Sequence, residues 1–319
     1  ESHPSDSRRG RFAPSPTGPL HFGSLVAAVG SFADARAAGG EWLVRMEDLD
    51  QAREVPGAAD EILRTLERFG LLWDEVVVYQ SRRLEAYDAA LGRLRENGLT
   101  FPCGCSRAEI AAHGRVGPEG PIYPGTCRNG PPAHRRRRSE RLRVDDARIT
   151  VDDRIHGLIE QQLAAEVGDF VLRRADGIHA YQLAVVVDDA AVGIHSVVRG
   201  ADLLLSTPRQ VHLQRLLGLP QPSYAHLPLA VDDAGRKLSK SLAGAPVHPD
   251  DPLPALLHAW QFLGQLPLPE TPGSVPTFWQ QALPLWSIAR VPRARDLPAA
   301  HDFPVANLRR TDTMIHPAR

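Results

Sequence analysis

Apolar positions first gather in a short strand-like run, Arg8-Arg9-Gly10-Arg11-Phe12-Ala13, which breaks into the turn Pro14-Ser15-Pro16-Thr17-Gly18-Pro19. Beyond it Leu25, Val29, Phe32 and Arg36 recur at helical spacing until Gly39-Gly40 stops the pattern. Trp42-Leu43-Val44-Arg45-Met46 forms a second apolar strand and runs into the acids of Glu47-Asp48-Leu49-Asp50. Strand, helix and strand in such close succession predict a βαβ unit, hence a parallel sheet with a right-handed crossover. Ligands of these sheets sit beyond the carboxyl ends of the strands. That puts the loop from Arg11 to Gly23 and the acid Glu47 on one edge.

Pro56 opens a further helix with Ile62, Leu66 and Phe69 on one face and Gly70 behind it. Val76-Val77-Val78-Tyr79 reads as a strand, and Ser81 as the cap of a helix carrying Leu84, Tyr87, Leu91 and Leu94. Asn97-Gly98 ends that helix. From Pro102 to about Val144 glycine, proline, cysteine and arginine replace the periodicity, which predicts an insertion. Apolar runs return at Phe170–Arg173 and at Tyr181–Val187, both read as strands, and Arg199 ends another. A helix follows Thr207-Pro208. After about Pro246 the chain is proline-rich, with helical stretches around Trp260 and Trp279 that predict a small appendage. There is no internal repeat.

Composition narrows the class. The 319 residues suffice for two domains, or for one large domain with an attachment. With 43% hydrophobic and 24% charged residues the chain is globular, and no run approaches the roughly 20 apolar residues of a membrane span. Three cysteines are too few and odd in number for a disulfide framework, which favours a reducing, cytoplasmic setting. Balanced charge, 37 positive against 38 negative, excludes a globally basic coat but leaves room for a local patch. Residues 1–7 read as an expression remnant or a frayed end.

Two segments suit phosphate. Gly18-Pro19-Leu20-His21-Phe22-Gly23-Ser24 lies where a strand gives way to a helix. There glycine admits an anion and the helix N-terminus supplies free N–H groups. It is neither a P-loop nor GxGxxG, and alone it reads as a plain turn with a surface histidine. Gly235-Arg236-Lys237-Leu238-Ser239-Lys240-Ser241 offers two lysines able to neutralise charge in a transition state. Alone it reads as a solvated basic loop.

All three cysteines, Cys103, Cys105 and Cys127, fall in the insertion, where a structural zinc would supply folding energy that a core does not. His113 or His134 could complete the set, and free thiols are the plainer alternative. Between Arg128 and Arg143 seven arginines face one acid, Glu140, a local charge of +6 that suits a phosphate backbone or a solvated linker.

Taken in this order, the two phosphate segments resemble the signatures of the class I aminoacyl-tRNA synthetases: His21-Phe22-Gly23-Ser24 for the first and Lys237-Leu238-Ser239-Lys240-Ser241 for the second. Arg11–Gly18 and Arg45–Asp50 look like the glutamyl-tRNA synthetase branch, and the resemblance spans about residues 8–245. It implies an α/β fold: a Rossmann-like, parallel-sheet catalytic domain in two halves, 8–101 and 169–245. A zinc-bearing insertion, 102–168, and a helical appendage, 246–319, complete it. It also implies glutamate binding by Arg11, Ser15, Glu47, Tyr181 and Arg199, and ATP binding by Gly18, His21, Gly23, Ser24, Lys237 and Lys240, with His21 and Lys240 catalytic. A site for glutamate needs an arginine fork and an acid, which this set contains, although Tyr181 alone reads as a half-buried strand aromatic.

Within the branch, Cys103-x-Cys105, Tyr123 and Cys127 are similar to the pattern of glutamyl-Q tRNA(Asp) synthetases, which makes Tyr123 the fourth zinc ligand. Only 78 residues (319 − 241) follow Ser241, little room for an anticodon reader, and this too fits that shortened paralogue. The implied function is tRNA-independent activation of L-glutamate with ATP and Mg²⁺, then transfer to the queuosine base of tRNA(Asp), with neither membrane nor obligate protein partner. Three alternatives stand beside it: a truncated synthetase charging a tRNA 3′ end, a small-molecule nucleotidyltransferase, and a non-catalytic RNA-binding paralogue.

Overall fold

The computed structural model describes residues 8–132, 136, 138–146, 148–232, 235 and 246–299. Lys237, Lys240, His134 and residues 1–7 lie outside them. The chain opens with β1 (Gly10–Phe12), α1 (Phe22–Ala37), β2 (Trp42–Met46), α2 (Ala58–Arg68), β3 (Val78–Tyr79), α3 (Leu84–Glu96) and β4 (Thr100–Cys103). There follow α4 (Arg107–His113), the short pair β5 (Val116–Gly117) and β6 (Gly120–Pro121), β7 (Ser139–Leu142), β8 (Arg148–Asp153) and β9 (Gly157–Gln162). Next come α5 (Leu163–Glu166), β10 (Val171–Arg173), α6 (Tyr181–Ala191), β11 (Ser196–Gly200), α7 (Thr207–Leu217), β12 (Ser223–Leu227) and β13 (Leu229–Val231). The last elements are α8 (Pro252–Phe262), α9 (Val275–Ala282) and β14 (Asp296–Pro298).

Seven strands form the main sheet in the order β3-β2-β1-β11-β12-β8-β9, parallel except for the β8–β9 hairpin at one edge. The expected α/β architecture with a mainly parallel sheet is therefore present. Strand periodicity of two divides the side chains between two cores. Phe12, Trp42, Val44, Met46, Val198, Ala225 and Leu227 enter the core under α1, α2, α8 and α9. Leu43, Val197 and Tyr224 enter the other, under α3, α6 and α7. Strand order reverses between β1 and β11, which opens a crevice at their carboxyl ends. Close packing shapes its wall: a Cβ on Gly30 of α1 would meet Leu227 of β12 at 2.5 Å.

The insertion is knitted to the body by a small antiparallel sheet, β10-β7-β4. Residues 148–162, inside the segment assigned to the insertion, form the edge of the main sheet. The C-terminal helices share the first core through Leu256, Trp260, Phe278 and Trp279, and Trp279 donates from Nε1 to the Phe69 carbonyl at 2.9 Å.

Two local readings change. Tyr181–Val187 is helical, since the run continues through Asp188 and Asp189 to Ala191 with Leu183, Ala184, Val185 and Val186 all buried. A β-branched apolar run does not distinguish a buried strand from a buried helix. The third helix starts at Leu84 and Ser81 does not cap it; Ser81 donates from both its amide and its hydroxyl to Asp48. No helix among the described residues is long and apolar enough to cross a membrane.

Candidate active site

A cleft of about 570 Å³ lies in the crevice, lined by Ser15, Gly18, His21, Gly23 and Ser24 on one side and by Gly200, Leu229 and Pro246 on the other. Gly18 has φ +147°, a conformation that L side chains rarely adopt. His21 caps α1, accepting at Nδ1 from the Ser24 amide at 3.3 Å, while its Nε2 lies 3.1 Å from the Ser24 hydroxyl. No acid occupies the first turn of α1, so that helix end keeps its affinity for anions. Pro246 forms a bridge with His21, and β13 ends at Val231 beside the cleft. The described flanks of the lysine segment thus meet the nucleotide turn.

Behind the cleft lies a buried charge cluster built by strand alternation. Arg11, Arg45, Arg199 and His226 occupy the side of β1, β2, β11 and β12 that faces α6, near the ends of adjacent strands, and Arg199 is in register with His226. Arg11 donates from Nε and Nη2 to Asp189 at 3.2 Å each, and Arg45 donates to the same carboxylate at 2.5 Å. Burial opposes ionisation of Asp189, yet Arg11 and Arg45 hold its carboxyl down at about 2. Arg45 also reaches Glu47 at 3.2 Å; burial still pushes that carboxyl above its ordinary range. Glu47 is tied to the nucleotide turn, its amide donating to the Pro14 carbonyl at 2.9 Å, next to Ser15.

Arg199, 5% exposed, differs from Arg11. Its partners are uncharged: Tyr181 Oη at 3.4 Å, His226 Nε2 at 3.1 Å, Thr207 Oγ1 at 2.9 Å and Gln210 Oε1 at 2.7 Å. His226 donates from Nδ1 to Asp153 at 2.6 Å, and burial pushes its imidazole down to about 4, so it is a neutral acceptor for Arg199. The Tyr181 phenol is pushed up by burial, with Glu47 acting in the same direction and Arg199, Arg11 and Arg45 opposing it. Arg11 and Arg45 share Asp189, and Arg45 also pairs with Glu47, whereas among the described residues no carboxylate pairs directly with Arg199; its nearest acid, Asp153, lies behind the neutral His226. Asp188 cancels against Arg83 at 2.6 Å. Sequence reading missed Asp153, Asp189, Gln210 and His226. The adjacent acids Asp188-Asp189 at the end of an apolar run were the one available signal.

The three thiols converge. Cys103, Cys105 and Cys127 offer Sγ atoms within 4.8 Å of one another. Cys105 Sγ is 3.7 Å from Cys127 Sγ, and Tyr123 Oη lies 3.4 Å from Cys103 Sγ and 3.8 Å from Cys105 Sγ. Tetrahedral zinc with sulfur and oxygen ligands separates its donors by about 3.5–3.8 Å, so the set fits the ion. Burial opposes ionisation of Cys103, but Tyr123, the Cys105 amide and Arg141 bring its thiol down to about 7. His113 is not part of the set: it is exposed, with Nδ1 against the Glu109 carbonyl of its own helix. The arginine run divides. Arg128 pairs with Asp169 and Arg141 lies over the Tyr123 ring at 4.1 Å, whereas Arg136 and Arg138 are exposed.

A mainly parallel sheet whose first turn opens on a helix N-terminus free of acids, with a buried arginine-rich cluster behind it, fits the catalytic domain of a class I synthetase. Residues 8–245 match the family of tRNA synthetases class I (E and Q), catalytic domain, and the chain belongs to that family, as a ligase-type enzyme of its glutamyl-Q tRNA(Asp) synthetase branch. The glutamyl-Q tRNA(Asp) synthetase of Dechloromonas aromatica is 57% identical over 289 residues, covering 89% of this chain and 96% of its own. That of Chromobacterium violaceum is 56% identical over 284 residues, 89% and 95% of the two chains. The crystal structure of glutamate-tRNA synthetase from Elizabethkingia anophelis superposes with a TM-score of 0.76 at 24% identity, covering 92% of this chain and 68% of that one, a likeness of fold.

Proposed function

We propose that the protein joins L-glutamate to ATP without tRNA, forming glutamyl-adenylate and pyrophosphate, and then transfers the glutamyl group to the queuosine at the wobble position of tRNA(Asp). The observation that carries the first half is the buried Arg199 guanidinium, with which no described carboxylate pairs directly. A guanidinium held only by neutral groups calls for an anion, and glutamate, with two carboxylates and one ammonium, can give a carboxylate to Arg199 and its ammonium to Glu47. In this reading Arg199 and Tyr181 take a carboxylate and Glu47 takes the ammonium. Arg11 acts chiefly by fixing Asp189, and Ser15 lies at the mouth. The second half is supported by the names of relatives more than half identical over most of the chain.

Glutamate's α-carboxylate attacks the α-phosphate of ATP in line, and pyrophosphate leaves. Charge building on the phosphoryl oxygens meets the N-terminus of α1, His21 and Lys240, while Gly18, Gly23, Ser24 and Lys237 cradle the nucleotide. Mg²⁺ accompanies the ATP phosphates. A hydroxyl of the queuosine cyclopentene ring then attacks the activated carbonyl and AMP leaves. Cys103, Cys105, Tyr123 and Cys127 would hold a structural Zn²⁺ that fastens the insertion. The substrates set the reaction in the cytoplasm. ATP–pyrophosphate exchange with each amino acid, tRNA omitted, tests the activation step: exchange with glutamate alone is expected, and exchange only when tRNA is added would overturn it.

A further inference from the structure

The family match ends at residue 245, and the described segment beyond it, 246–299, touches the nucleotide turn directly. Phe22, between His21 and Gly23, is stacked on His258 of α8, with ring centres 4.0 Å apart and planes at 25°. Its edge meets Phe262, one turn further along α8, at 5.7 Å and 84°. Phe22 and Phe262 also pack on Ala230 of β13 and on Ala299. Backbone ties run in parallel. The Val247 amide donates to the Leu20 carbonyl at 2.9 Å, and the Ala299 amide donates to the Val231 carbonyl at 2.9 Å. β14 pairs with β13 from Leu229↔Asp296 to Val231↔Pro298. Leu20, His21, Leu229, Ala230 and Pro246 all line the cleft.

From these contacts we infer that His258 and Phe262 are positioning residues for the ATP site, acting through Phe22. The first turn of a helix is its most easily frayed part, and here it carries both the capping His21 and the anion-receiving N–H groups. Two aromatic side chains on α8 hold the ring that sits in that turn, so the C-terminal helices set where the amides and His21 point. Misplacement of such groups by about 1 Å can cost on the order of 100-fold in rate. The inference rests on the reading of the cleft as an ATP site, and it adds that the segment 246–299 is part of the nucleotide machinery.

Equilibrium binding of ATP by calorimetry tests it on the full chain, with glutamate-dependent pyrophosphate exchange measured in parallel. His258→Ala is expected to weaken ATP binding about three- to tenfold, the effect of losing one aromatic pair. The KM for glutamate should stay within about twofold, because the ring contacts of His258 and Phe262 run to Phe22 and to no side chain of the glutamate site. His258→Phe, which keeps a stacked ring, should restore ATP binding. Unchanged ATP binding in His258→Ala and Phe262→Ala would overturn the inference, as would equal weakening for ATP and glutamate. Wild-type protein that binds ATP but exchanges no pyrophosphate with glutamate would remove the proposed activity and leave the positioning role standing.

Discussion

His226 accepts the Nε proton of Arg199 at 3.1 Å while giving its own Nδ1 proton to Asp153 at 2.6 Å. The carboxylate fixes the tautomer, and the tautomer fixes the guanidinium. Without Asp153 the ring is free to carry its proton on Nε2, where it would oppose the arginine donor. Asp153→Ala is therefore expected to raise the KM for glutamate by about 10–100-fold, the usual size of an outer-shell loss, with the KM for ATP little changed. Steady-state exchange kinetics check this, and equal glutamate KM values in variant and wild type would refute it.

The same histidine makes stability depend on pH. Burial holds the folded imidazole at about 4 against an ordinary 6.5, so between those values the unfolded chain binds more protons than the folded one. The histidine's contribution to stability is full above pH 6.5 and declines as the pH is lowered through that window toward 4. Urea unfolding from pH 7 to 4 should show the decline in wild type and a flatter profile in His226→Gln. Identical slopes in the two would refute it.

Asp189 pairs with two buried arginines, Arg11 and Arg45. Asp189→Asn removes the anion, leaving Arg11 without its carboxylate partner and Arg45 with Glu47, a change expected to cost on the order of 3–5 kcal/mol. Denaturant unfolding measures it. A loss under about 1 kcal/mol, the value of an exposed pair, would contradict the geometry.

The thiol cluster is expected to hold one zinc per chain by elemental analysis. Tyr123→Phe keeps the ring under Arg141 and removes only the oxygen donor, so metal affinity should fall while the apo fold persists. Zinc retained against a competing chelator as firmly as in wild type would exclude Tyr123 from the ligand set.

Much of this organisation was legible in the chain. The Trp42–Met46 run showed a strand, and its alternation sent Arg45 toward the face that holds Arg11 and Arg199. The cysteines announced their own cluster because thiols in a glycine- and proline-rich stretch have few other uses. Tyr181 misled, since a Val-rich run buried on all sides has the same hydrophobicity in a strand and a helix. Asp189, His226 and Gln210 were hidden for a different reason. Each acts through an arginine more than ten residues away or on another element, and no local pattern records a long-range hydrogen bond. The C-terminal helices looked like an appendage because their apolar stripes can be counted but their partner, α1, cannot be read from them.

Labelled glutamate, ATP and the protein, incubated with tRNA(Asp) that carries queuosine and with tRNA(Asp) that lacks it, decide the acceptor. Label is expected on the queuosine-bearing tRNA(Asp) alone. Label on tRNA(Glu), or equal labelling of tRNA(Asp) with and without queuosine, would contradict the proposed transfer.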